Sequence, residues 1–73
     1  MESYKQNVEA ILKAIEIAGG AKELAKKVGV SYQTILSWKN ERIVPSSLNC
    51  IKIEKATEGK VTRKEILPNF PWD

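Results

Sequence analysis

Histidine is absent from this sequence, and cysteine occurs once, at Cys50. A lone cysteine excludes an intrachain disulfide, and without a Cys/His cluster a structural zinc site has no ligand set. With no histidine, one cysteine in an apolar setting and no paired acids of evident geometry, there is no nucleophile–base constellation. An enzyme is therefore not expected, nor is a cofactor or a metal; Glu54 and Glu65 read as helix-surface or capping residues. No apolar run approaches the ~20 residues that cross a bilayer, and the N-terminus lacks a signal-type hydrophobic stretch. A soluble cytoplasmic protein without a membrane partner is the expectation. Strict polar/apolar alternation is also missing, the longest strand candidate, Lys60–Thr62, being too short to carry a sheet. Internal repeats, low-complexity segments and interdomain linkers are not found.

What is present is short and basic. Seventy-three residues predict a single domain, 1–73. That is near the lower size at which one hydrophobic core holds a fold without staples. The core must come from apolar side chains alone or be completed by a second subunit. Net charge is +3, and its placement is uneven: residues 1–18 carry −1, 46–73 carry +1 and 19–45 carry +3. A positive excess in the middle suits a surface facing phosphates, although on charge alone a solvated face is the better reading.

Helical signals follow one another along the chain. Ser3–Gln6 has capping-box spacing, and Val8, Ile11, Leu12 and Ile15 then recur on one side of a first helix ended by Gly19-Gly20. A second helix is expected from about Ala21 to Val28, stopped by Gly29, and a third from Ser31, a good N-cap, to about Asn40. Pro45 makes 41–45 a loop. Ser46 or Ser47 caps a fourth helix running to Ala56 or Thr57 and ended by Gly59. Thr62–Glu65 repeats the capping-box spacing and opens a short last helix, 63–67; Pro68 and Pro71 predict an extended tail, 68–73. The fold class is thus all-α, a compact bundle of about five short helices.

The segment about 21–40 meets the demands of a helix-turn-helix, two helices crossing steeply through a short turn. Ala25 permits close crossing, and Gly29 takes the positive φ of the turn cheaply. Leu24, Val28, Val30, Ile35 and Trp38 form the apolar wedge onto the rest of the domain. Tyr32, Gln33 and Ser37 are left as polar side chains at the N-terminal end of the second helix of the pair.

With these residues in place, segment 20–40 resembles the helix-turn-helix of the lambda-repressor-like proteins, the phage Cro and CI repressors and their bacterial relatives. Gly19-Gly20, Trp38, the string Ile53-Glu54-Lys55-Ala56-Thr57-Glu58-Gly59-Lys60-Val61-Thr62-Arg63 and the Leu/Pro/aromatic ending Leu67 to Trp72 are similar to the small Cro-like/YdaS-type group of prophage regulators and antitoxins. The likeness covers roughly residues 10–72 and is looser around 41–49.

The resemblance implies a lambda-repressor-like DNA-binding domain and a sequence-specific transcriptional regulator, a Cro-type phage or prophage repressor. Its third helix would lie in the major groove of double-stranded operator DNA. Base contacts are then expected from Tyr32, Gln33 and Ser37, with Thr34 and Leu36 behind them. Gln33 leads, because its amide can both donate to and accept from adenine. Phosphate contacts are expected from Lys22, Ser31, Lys39, Asn40 and Arg42. Lys26 and Lys27 read as solvated, Cys50 as a small buried thiol without redox neighbours.

Leu48, Ile51, Ile43 and Val44 either complete the core or form a homodimer seam, and part of this patch is expected at a seam. Phe70 and Trp72 are expected to fold back over the core. The alternative function is a protein-interaction module such as an antitoxin that covers a toxin partner, with or without repression of its own promoter.

Overall fold

The computed structural model describes residues 4–72. It contains five helices: α1 (Val8–Ala18), α2 (Ala21–Val28), α3 (Tyr32–Lys39), α4 (Ser47–Ala56) and α5 (Arg63–Ile66). No strand occurs among the described residues. The radius of gyration, 10.9 Å, is close to the roughly 11 Å of a compact chain this long. No described helix is long and apolar enough to cross a membrane.

Four of the five helix starts are local capping events, α2 alone opening on a glycine, Gly20, with no side-chain cap. Asn7, Ser31, Ser46 and Thr62 accept from backbone N–H groups of α1, α3, α4 and α5 through their side chains. At α5 the Glu65 carboxylate also accepts from the Thr62 N–H at 2.9 Å, completing the expected capping box. The first cap departs from expectation. Asn7 starts α1; Gln6 caps nothing, being buried with its amide turned to other parts of the chain. Ser3, the expected cap, lies outside the described residues.

The core is built from Ile11, Leu24, Ile35, Trp38, Cys50, Ile53, Val61, Ile66 and Leu67, with Ala10, Ala14, Ala25 and Val28 where helices come close. α2 packs on α1, α3 and α4, so it is the hub, and α5 closes the bundle against α1 and α4. α1 turns Ala10, Ile11 and Ala14 inward, whereas Leu12, expected on that face, is 45% exposed. The face that packs inward is thus centred on the small Ala10 and Ala14 with Ile11, and Leu12 lies off it.

The tail also departs from expectation. Residues 67–70 turn, the Phe70 N–H donating to the Leu67 carbonyl at 3.2 Å, and the Trp72 indole N–H donates to the same carbonyl at 2.8 Å. The half-buried Trp72 indole finds its partner there, and the bond curls the segment back, bringing Phe70 and Trp72 over the core as expected while the chain is not extended. Phe70 packs edge-on to Tyr4, with ring centroids 5.2 Å apart, and both tail aromatics lie against the core.

Candidate nucleic-acid interface

α2 and α3 are joined by Gly29, Val30 and Ser31. Gly29 has φ +87°, and a Cβ there would meet nothing within 4 Å. Its requirement is therefore the left-handed backbone, not space. The Gly29 and Val30 N–H groups both donate to the Ala25 carbonyl, at 2.8 and 3.0 Å, which closes α2 and fixes where α3 begins. Beneath the pair, Leu24, Ala25, Val28, Ile35 and Trp38 are buried as expected, and Val30 is half-buried.

The N-terminal end of α3 faces outward. Ser31, Tyr32 and Gln33 are exposed, and Thr34, Leu36 and Ser37 are half-buried beside them. The Ser31 Oγ accepts from the Thr34 N–H at 3.1 Å and shares a hydrogen bond with the Thr34 Oγ1 at 2.9 Å. Two hydroxyls joined this way use one of their two protons, so the pair still has a donor to offer. The Lys22 Nζ stands 5.7 Å from the Tyr32 ring centroid, which brings the start of α2 and the start of α3 into one basic, aromatic corner.

The C-terminal end of α3 carries the remaining cations. Lys39, Asn40 and Arg42 are exposed. The helix closes with a Schellman arrangement: the Glu41 N–H donates to the Trp38 carbonyl at 3.2 Å and the Arg42 N–H to the Ser37 carbonyl at 2.8 Å. Glu41 holds the left-handed position, φ 61°, where glycine is usual. Its carboxylate lies 3.8 Å from the Lys5 Nζ in an exposed ion pair that adds little stability. Lys26 pairs with Glu23 at 3.9 Å and remains exposed, as does Lys27.

Two buried polar side chains have roles that the sequence does not announce. The Gln6 Nε2 donates to the Trp38 carbonyl at 2.9 Å and to the Ile43 carbonyl at 2.7 Å, bonds spanning 32 and 37 residues. No local pattern could have revealed them. Thr57 donates to the Ile53 carbonyl at 3.0 Å and accepts from the Val61 N–H at 3.1 Å, joining the end of α4 to the approach to α5. Cys50 is fully buried, and burial pushes its thiol from 9.0 up to about 12.

Residues 11–73 match the family described as "Bacterial toxin YdaS". The chain belongs to the YdaS family. This YdaS-family chain is 35% identical over 60 residues to the "Putative transcriptional regulator YdaS" of Escherichia coli (strain K12), covering 81% of the chain and 60% of that relative. It is 29% identical over 55 residues to the "Regulatory protein cro" of Pseudomonas phage D3, covering 75% of each. The YdaS-family chain thus spans only about three fifths of the length of the first of these relatives. No solved structure matches it significantly.

Proposed function

We propose that this chain is a sequence-specific transcriptional regulator that binds double-stranded operator DNA, laying α3 in the major groove and repressing as Cro-type proteins do, by occupying the operator and excluding polymerase. The observation that carries the reading is the outward N-terminal end of α3: Tyr32 and Gln33 are exposed on a rigid helix flanked by exposed Lys22, Lys39 and Arg42. Kinship with relatives named as a transcriptional regulator and as Cro supports it.

In this reading Gln33 forms a bidentate pair with an adenine. Tyr32 bonds a base or packs on a thymine methyl, and Ser37, Thr34 and Leu36 complete the base-facing surface. Lys22, Ser31, Lys39, Asn40 and Arg42 hold phosphates, fixing register without reading sequence. Ile43, Val44 and Leu48, exposed by 48%, 44% and 59%, form the seam of a homodimer. The two copies of α3 then meet half-sites about 34–36 Å apart. In this reading residues 1–73 act as one DNA-binding domain in the cytoplasm.

Selection of bound sites from random duplex DNA tests the reading. A palindromic motif is expected, lost on Gln33→Ala, and operator affinity should fall with salt at a log–log slope of about −0.9 per neutralised phosphate. No enriched sequence, or a flat salt response, rejects it.

A second reading, a module that binds a protein partner, is favoured by the same exposed apolar residues, Ile43, Val44 and Leu48. The family's description as a toxin fits a toxin–antitoxin setting. The aromatic tail is half-buried and engaged with the core, so a partner would sit on the 43–48 patch. Sedimentation of the purified chain separates the readings: a dimer abolished by Leu48→Glu favours the seam, and a persistent monomer favours a foreign partner.

A further inference from the structure

The loop that follows α3 carries Asn40 and Arg42, with Lys39 at its edge, and its own Schellman bonds close it only by placing a non-glycine residue in an unfavourable backbone region. Glu41 stands in the left-handed region at φ 61°, where an L side chain is disfavoured. Ion pairing with Lys5 at 3.8 Å is exposed and too weak to impose that shape. What brackets the loop is Gln6, only 6% exposed. Its amide nitrogen donates to the carbonyl just before the loop, Trp38, at 2.9 Å, and to the carbonyl just after it, Ile43, at 2.7 Å. Both amide protons are thereby spent on the two sides of one turn.

We propose that Gln6 is a positioning residue of the DNA interface: its side-chain amide clamps loop 39–42 so that Lys39, Asn40 and Arg42 meet the phosphate backbone as one preset group. The proposal rests on the DNA-binding reading above. A preset group loses less side-chain and loop freedom on binding, so the clamp acts on affinity. Base selection rests chiefly on Tyr32 and Gln33 at the other end of α3, whose cap uses Ser31 and Thr34. The Gln6 amide bonds to neither of those residues, so its removal weakens the hold on phosphates and leaves the preferred base sequence intact. A residue that merely stabilised the core would weaken binding only by lowering the folded fraction.

The test compares Gln6→Met, which keeps the length and packing of the side chain but has no donor, with Thr57→Val, which removes a buried hydroxyl at the α4–α5 junction. Both are measured as full chains at a temperature where circular dichroism shows them folded, against the operator selected by the wild-type chain. Gln6→Met is expected to bind at least about tenfold more weakly, with a salt slope shallower by about 0.9 for each phosphate no longer neutralised, while selecting the same sequence. Thr57→Val should keep the wild-type slope. In the DNA-free chain, amide exchange at Arg42 and Ile43 should rise in Gln6→Met and stay unchanged in Thr57→Val. If Gln6→Met does not fold, Gln6→Asn, which keeps the amide but withdraws it by one bond, is measured in its place with the same expectation. A folded Gln6 variant with wild-type slope and exchange overturns the clamp, and so does Thr57→Val giving the same changes. Should the wild-type chain enrich no duplex, the DNA reading fails first and removes the phosphate role with it; faster loop exchange in Gln6→Met would then mark the amide as purely structural.

Discussion

The two ends of α3 are built in opposite ways. At the N-terminal end everything is made by near neighbours: Gly29 turns the chain, Ser31 caps the helix, and Thr34 completes the hydrogen bonding three residues later. At the C-terminal end, Trp38 is sunk in the core and its carbonyl is held by Gln6 from 32 residues away, while Glu41 accepts a left-handed backbone. One end is free to present side chains because its own backbone is satisfied locally. The other is fixed to the body of the protein and gives the first its orientation.

The contrast is broken most severely at its anchored end. Trp38→Ala should cost about 3–5 kcal/mol against a total stability of roughly 5–15 kcal/mol. Urea unfolding is expected to show a midpoint far below that of the wild type; a midpoint close to wild type would mean that Trp38 does not anchor α3. Raising the pH loads the core beneath both ends at once. The buried Cys50 thiol keeps its proton up to about pH 12, whereas the unfolded chain releases it near 9.0. The unfolded state therefore binds fewer protons between these values, and stability, intact below pH 9, falls as pH rises. The loss should reach about 2 kcal/mol by about pH 10.5, read from urea midpoints, and Cys50→Ala should flatten it.

Smaller changes separate the ends by sign. Ser31→Ala removes a local cap and should destabilise by about 1 kcal/mol. Glu41→Gly relieves the left-handed backbone and should stabilise by up to about 1 kcal/mol, even though the exposed pair with Lys5 disappears. Paired thermal melts check both, and a destabilised Glu41→Gly would show that the turn is held by the side chain and not endured by it. The least effect on folding is expected from Gln33→Ala, within about 0.5 kcal/mol. In operator binding the same substitution should cost about 1–3 kcal/mol of base discrimination, measured by titrating matched and altered duplexes.

The same contrast explains what could be read from the sequence. Gly29, Ser31, Ser46 and the Thr62–Glu65 box were legible because each signal and its partner lie within about four residues, the range of capping chemistry. The polar tip of α3 was legible for the same reason, with Tyr32 and Gln33 outward as expected and Ser37 only half so. Leu12 was misread because a hydrophobicity pattern ranks leucine above alanine, whereas the inward face of α1 is the one that carries Ala10, Ile11 and Ala14. Gln6 looked like half of a capping box, and its actual partners lie across the fold. The tail looked extended because prolines punctuate it, but the Trp72 indole needed an acceptor and found one at Leu67.

The packing of Tyr4 on Phe70, and the hydrogen bond from the Asn7 N–H to the Ile66 carbonyl at 2.8 Å, also fix an order of events during synthesis. The stretch before α1 is the first of these partners to leave the ribosome and the last to find its seat, since α5 and the turn after it must emerge before either can close. The contacts that join the stretch before α1 to α5 and the turn after it are sealed only after α5 has been made.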